Sequence, residues 1–277
     1  MWTVRVSSMG CYAFKDASRE ETLTQHVLGI IECYDKMWEF KGFKQKISRI
    51  YGVNEPIVSD MIFLAAIMHD LGKTKKELQD KCNEECTSFR QHYITSAQLA
   101  LKLGYEVPEL GLSPDNIEGR LKKLFNNSEL KSLDYGDTYL LIVVLPALLH
   151  HYAQVTDETS ILGGLDSTET SLEIHKDCIT ELTTIISEAS KSIKSEIGRK
   201  IIDKLKNIVL RGYTELSIIN SRIFRDVESY EYIPGRFIAE VATGLLNLCD
   251  SRVASNNRQC VNQHISKEQT ANQGRES

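Results

Sequence analysis

The dipeptide His69-Asp70 closes the apolar run Ile62-Phe63-Leu64-Ala65-Ala66-Ile67-Met68. An adjacent His and Asp at a helix end can both point into a neighbouring cavity. Imidazole nitrogen and carboxylate oxygen together suit hard to borderline divalent cations. Four more segments put His or Asp on an otherwise apolar helical face. His26 lies between Leu23 at i−3 and Ile30 at i+4, and His92 is flanked by Phe89 at i−3 and Leu99 at i+7. His150 and His151 end the longest apolar run, Tyr139 to Leu149, and Asp250 has Leu246 at i−4 and Val253 at i+3. A buried polar group without a partner costs about 1–3 kcal/mol, so this set could cancel a net stability of about 5–15 kcal/mol. These groups must satisfy one another or share something. Neutral imidazoles and two carboxylates are satisfied together by one or two divalent cations. Taken singly, a His on an apolar face is usually a core residue bonded to a backbone carbonyl. His175 and His264, outside the pattern, keep that reading or plain surface exposure.

The elements that must position these residues read as helices. Ser18-Arg19-Glu20-Glu21 has the form of a capping box, followed at helical spacing by Leu23, Val27, Ile30, Ile31, Tyr34 and Trp38. A second helix is expected from Asn54 to Leu71, ended by Gly72 in the left-handed conformation. Ser88-Phe89-Arg90-Gln91 is a second capping box, opening a helix that ends near Gly104. Asp137 can cap the helix of the apolar run, and Pro146 should bend it. Long helices are expected from Ser171 to Leu210 and from Glu215 to Ser229, then a turn at Pro234-Gly235 and a last helix from Phe237 to Ala254. Trp2 to Val6 could be a short extended segment. The expected fold class is all-α, with residues 1–254 as one domain and the polar stretch 255–277 as a mobile tail.

Composition narrows the function classes. The chain has 277 residues, 42% hydrophobic and 26% charged, as in an ordinary globular protein. With 33 Lys and Arg against 38 Asp and Glu, the net charge is −5, which excludes a protein that coats nucleic acid by charge alone. The longest apolar run is far short of the ~20 residues that cross a bilayer, so no membrane span is expected. Met1 to Ala17 holds no apolar stretch of signal-peptide length. Seven scattered cysteines point to free thiols in a reducing cytoplasm. Cys82 and Cys86 lack the second thiol pair of a zinc ribbon. Gly72-Lys73-Thr74 has the form of a P-loop end, but position 67 is Ile where that motif needs glycine, so the chain is not a P-loop ATPase or helicase.

The ordered pattern His26, His69-Asp70-Leu71-Gly72-Lys73, His92, His150-His151 and Asp250 resembles the HD-domain metal phosphohydrolase superfamily. Within it, the chain is most similar to the HD nuclease of type I CRISPR interference systems, in the detached form that is a separate subunit. Phe89-Arg90-Gln91-His92 followed by Ser96-Ala97, and Leu248-Cys249-Asp250-Ser251-Arg252-Val253-Ala254-Ser255, carry the local likeness. The segments between His92 and His150, and between His151 and Asp250, are long for the family.

The resemblance implies a helical bundle with a central metal-binding groove. His26, His69, Asp70 and Asp250 would hold one metal. Asp70, His92, His150 and His151 would hold a second, with Asp70 as the bridge. Asp70 and Lys73 are the implied catalytic residues. The donor set suits Mn²⁺, Mg²⁺, Co²⁺ or Ni²⁺. The implied reaction is hydrolysis of single-stranded DNA, exo- or endonucleolytic, by two metals, on a strand delivered by a separate helicase subunit or the RNA-guided surveillance complex. Lys73 could neutralise charge on the reacting phosphate or be a solvated lysine at a helix end. Ser96 could bond a phosphate or pack. Lys75, Lys76, Arg222, Arg225 and Arg236 are further basic candidates for DNA contact. Two other readings stay open. One is an HD enzyme of nucleotides or cyclic nucleotides, for which His26, His69, Asp70 and Asp250 suffice. Its cyclic-dinucleotide branch is disfavoured, because Tyr152-Ala153-Gln154 stands where that branch has Gly-Tyr-Pro. The other is a helical recruitment subunit whose site only binds metal.

Overall fold

The computed structural model describes residues 10–83, 85–151, 170–217 and 233–258. Strands β1 (Tyr12–Lys15) and β2 (Glu20–Thr22) pair antiparallel ahead of helices α1 (Leu23–Lys36) and α2 (Trp38–Tyr51). Helix α3 (Glu55–Met68) leads through a 3-10 turn, Leu71–Thr74, to the short α4 (Lys76–Gln79). Then come α5 (His92–Glu106), α6 (Ile117–Asn126), α7 (Tyr135–Tyr139), a π-helical turn over Leu140–Val144, and α8 (Leu145–Leu149). A second two-stranded ribbon, β3 (Ser171–Glu173) with β4 (Tyr213–Glu215), brackets α9 (Lys176–Ser190) and α10 (Glu196–Arg211). The last element among the described residues is α11 (Pro234–Asn257). The fold is all-α, with the two ribbons as clasps at its edge.

Helix α3 is the axis of the bundle because it is apolar on every side. All residues from Ile57 to Met68 are buried, the pattern of a helix enclosed by others. Helices α1, α2, α5, α10 and α11 pack on it. Each presents one apolar face, as α1 does with Leu23, Val27, Ile30, Ile31 and Tyr34 and α10 with Ile197, Ile201, Leu205 and Ile208. The charged exception among these buried residues is Asp60, fully buried. Its carboxylate accepts the backbone N–H groups of Lys194 (3.0 Å) and Ser195 (2.6 Å), fixing the entry to α10 against α3.

Tertiary pairing moves several helix ends from their expected places. Glu20–Thr22 are drawn into β2, so the capping box is Thr22 with Gln25, not Ser18 with Glu21. The backbone is extended at Met37, which separates α1 from α2 and leaves Trp38 as the first residue of α2. α3 stops at Met68, and Gly72 lies in the 3-10 turn rather than in a left-handed cap. α5 opens at His92, not at Ser88, because Gln91 has a φ of 59° and breaks the helical path there. Asp134, not Asp137, caps α7, and the Asp137 carboxylate pairs with Arg120 instead (2.9 Å). Pro146 removes one backbone donor, and the wider π turn just before it absorbs the disruption. The expected helix from Ser171 to Leu210 divides into β3, α9 and α10, with His175 and Ser195 as N-caps. Glu215 belongs to β4, and the rest of the helix expected through Ser229 lies outside the described residues beyond position 217. Pro234-Gly235 forms the first turn of α11 rather than a preceding turn, as proline's fixed φ allows. That helix continues to Asn257, three residues past Ala254.

The expectation of free thiols is also revised. Cys11, just before β1, bonds Cys178 of α9, Cys33 of α1 bonds Cys249 of α11, and Cys82 bonds Cys86, all as disulfides. That last bond replaces the zinc-pair reading. Trp2–Val6, His264 and residues 259–277 lie outside the described residues. Among the described residues no helix is long and apolar enough to cross a membrane.

Asp60→Ala removes the acceptor for two buried backbone donors. It should lower unfolding stability by about 2 kcal/mol or more, read from urea denaturation. Asp60→Asn, which keeps one acceptor, should lose less. Equal stability of Asp60→Ala and the unaltered chain would contradict this role.

Candidate metal centre

Three helix ends and two helix faces bring the seven singled-out residues together. His69 and Asp70 follow the last turn of α3, His92 opens α5, and His150 and His151 follow α8. His26 projects from the first turns of α1, and Asp250 from α11. His26, His69, Asp70, His92 and His150 are buried. The side chain of Asp250 keeps 20% of its exposure.

One local device recurs. The Nδ1 of His69 bonds the Ala66 carbonyl (2.9 Å), that of His92 the Phe89 carbonyl (2.6 Å), and that of His150 the Ala147 carbonyl (2.9 Å). Each acceptor lies three residues earlier in the chain. A carbonyl only accepts, so Nδ1 must carry the proton and a neutral ring presents a bare lone pair at Nε2. His26 uses the carboxylate of Glu21 for the same purpose, with Nδ1 at 2.9 Å from Oε1.

The Nε2 atoms converge on Asp70. Its Oδ2 lies 3.2 Å from His26 Nε2 and 3.4 Å from His69 Nε2. Its Oδ1 lies 3.0 Å from His92 Nε2 and 3.7 Å from His150 Nε2. The two oxygens of one carboxylate therefore face two different sets of imidazoles. Asp250 Oδ1 stands 3.1 Å from His26 Nε2. The ligand atoms of His26, His69 and Asp70 lie within 4.8 Å of one another, as do those of His92, His150 and His151.

These atoms fit divalent cations better than they fit each other. His92 Nε2 lies 3.3 Å from His150 Nε2 and 3.1 Å from His151 Nε2. Burial, outweighing the pull of Asp70, moves His92 down to about 4. Burial, with His69, His151 and His92 adding to it, also holds His150 well below its ordinary value. Both rings are then neutral near pH 7 with their protons on Nδ1. Their facing lone pairs have no hydrogen between them, and a cation is what they can share. On the other side His26 Nε2 and His69 Nε2 are buried without a hydrogen bond, and Asp70 Oδ2 has the ion pair to Lys73. The approaches at 3.1–3.4 Å around His26 and His69 are thus electrostatic contacts without hydrogen-bond alignment.

The carboxylates are held ionised. Burial would raise Asp70, but His69, Lys73 and His26 hold it well below the usual range. Burial likewise opposes ionisation of Asp250, and His26 and His69 outweigh it. Burial alone would lower His26, but Asp250, Asp70 and Glu21 push it up to about 10.

Lys73 is not a solvated lysine. It is buried, with Nζ 2.7 Å from Asp70 Oδ2, 3.4 Å from the Ala13 carbonyl and 5.5 Å from the Phe89 ring centre. Ser96 holds the turn, its Oγ accepting the Gly72 N–H at 2.8 Å. Gly72 has no side chain because a Cβ there would collide with the His92 carbonyl oxygen. The HD turn and the start of α5 thus meet backbone to backbone. His175 caps α9, as a structural histidine. Lys75 pairs with Glu77 (3.2 Å) and Lys76 with Asp80 (2.9 Å), and neither lines the groove. Arg222 and Arg225 lie outside the described residues. Arg236, in the first turn of α11, is also absent from the groove wall.

In the sequence Glu21 stands out only as part of a capping box. It is fully buried, and besides His26 it holds Asn257 Nδ2 (2.8 Å) and Arg258 Nε (2.7 Å). A groove of about 650 Å³ opens over the cluster, lined by Phe14, Lys73, Phe89, His92, His151 and Asp250 among others.

Residues 14–118 match the family model described as Cas3, HD domain. The matched span contains His26, His69, Asp70 and His92, and ends before His150, His151 and Asp250. No curated protein matches the chain.

Gly72→Ala should push the HD turn off α5. The expected cost is about 1–3 kcal/mol of stability, together with weaker Mn²⁺ binding by isothermal titration. Unaltered stability and affinity would show that this close approach does not matter.

Proposed function

Residues 14–118 form an HD domain of the Cas3 type, and from that premise we propose that the chain is a metal-dependent nuclease. It hydrolyses phosphodiester bonds of single-stranded DNA in CRISPR interference. The observation that carries this reading is the division of Asp70, with Oδ2 toward His26 and His69 and Oδ1 toward His92 and His150. A carboxylate flanked in this way suits a bridge between two divalent cations. His26, His69, Asp70 and Asp250 would hold one, and Asp70, His92, His150 and His151 would hold the other. Mn²⁺, Mg²⁺, Co²⁺ and Ni²⁺ match the oxygen and nitrogen donors, and the number of imidazoles favours a transition metal over Mg²⁺.

A bound pair of such ions supplies an acidified water and a polarised phosphoryl oxygen. The chain's own residues do the positioning. The Nδ1 bonds to backbone carbonyls and to Glu21 orient each imidazole before any ligand arrives. Lys73 stands beside Asp70 on the groove wall and brings positive charge to the phosphate. The site opens to a groove rather than an enclosed cavity, which favours a polymer strand over a mononucleotide. The net charge of −5 gives the chain little general attraction for DNA, so a separate helicase subunit or the RNA-guided surveillance complex delivers the strand.

Asp70→Ala should reduce Mn²⁺-dependent cleavage of labelled single-stranded DNA to background while the helical circular-dichroism signal stays near that of the unaltered chain. Chelation should abolish cleavage by the unaltered chain, and added Mn²⁺ should restore it. Preferential hydrolysis of dNTPs or cyclic dinucleotides would overturn the nuclease reading.

A further inference from the structure

The residues that line the groove carry more positive than negative charge. Its charged lining residues are Lys73, Arg90, Arg258 and Asp250, three cations against one anion, in a chain of net charge −5. One of them is built in. Arg258 caps the end of α11, and its Nε donates to Glu21 Oε2 at 2.7 Å. Its guanidinium carbon lies 4.4 Å from the centre of the Phe14 ring. An ion pair to a fully buried carboxylate and an aromatic face thus hold the planar group from two sides. A guanidinium has five N–H donors, and Glu21 takes one of them. Among the described residues the other four have no protein acceptor. The side chain keeps 26% of its exposure and lies on the groove wall.

The geometry points to Arg258 as a phosphate clamp, gripping the backbone of the bound strand beside the reacting bond. This rests on the nuclease reading above. Arg258 is eight residues beyond Asp250 on one helix, or about 12 Å along its axis. It therefore meets a flanking phosphate, not the one being cut. Glu21 couples the two functions. One of its oxygens sets the His26 ring and the other sets the clamp. The strand register is thereby tied to the same carboxylate that aligns a metal-side imidazole.

The test uses the full chain and a fluorescein-labelled oligothymidylate. Binding is followed by anisotropy in chelator, so that no cleavage intervenes. Arg258→Ala should weaken binding about tenfold and lower the slope of log affinity against log salt by about 0.7. Arg258→Lys keeps a charge beside Glu21 but loses the planar fork, and should fall between the two. In Mn²⁺ the Arg258→Ala loss should be in KM on the oligonucleotide. It should be smaller on bis(p-nitrophenyl) phosphate, which has no flanking phosphate. A merely structural role would lower the thermal midpoint and the active fraction on both substrates alike.

Equal oligonucleotide affinity of folded Arg258→Ala and the unaltered chain would overturn the clamp and leave the nuclease reading intact. If Arg258→Ala does not fold, unchanged affinity of Arg258→Lys overturns it. No binding by the unaltered chain also overturns it. Arg258-dependent binding without any Mn²⁺-dependent cleavage would overturn the nuclease reading and leave the clamp standing.

Discussion

Two neutral imidazoles face each other across 3.3 Å with lone pairs on both sides. That arrangement of His92 and His150 is the constraint on which the rest of the site depends. Each ring has its proton fixed on Nδ1 by a backbone carbonyl, and burial keeps each ring uncharged. The two rings cannot relieve the contact by a hydrogen bond to each other, because neither facing nitrogen carries a proton. A divalent cation can, and the neighbouring oxygen of Asp70 already supplies negative charge on that side. The fold pays for this polar cluster with the apolar sheath of α3 and the helices around it, which hold the rings where they would not stay unaided.

The same logic explains the asymmetry of the two halves. On the His26 side three carboxylates, Glu21, Asp70 and Asp250, surround one imidazole, and their negative charge draws positive charge to that ring. On the His92 side His92 and His150 share one carboxylate oxygen, and burial keeps both rings neutral. Asp70 serves both halves, which is why its position just after α3 matters more than any other single placement. Gly72 and Ser96 bring that turn against the first residue of α5, so the two halves are spaced by backbone contact and not by flexible side chains.

Much of this was legible in the sequence. Buried His and Asp on apolar helical faces cannot be left unpartnered, and that requirement together with the resemblance to the HD-domain family groups His26, His69, Asp70, His92, His150, His151 and Asp250. Helix ends were less legible, because long-range contacts set them. Ser18 lost its capping role when Glu20–Thr22 paired with β1, and Ser88 lost its own to the left-handed backbone at Gln91. Gly72 was correctly seen as a special position, but for the wrong reason: it allows close approach, not a left-handed turn. Glu21 and Arg258 gave no periodic signal. One lies in a strand and the other just past a helix end, and they meet only because α1 and α11 pack together. Disulfide pairing between distant cysteines was illegible for the same reason.

Anomalous diffraction from crystals grown with Mn²⁺ tests the central claim most directly. Two peaks should flank Asp70, one in reach of His26 and His69 and the other in reach of His92 and His150. A crystal with no metal between His92 and His150, and those rings still facing at the same separation, would contradict it.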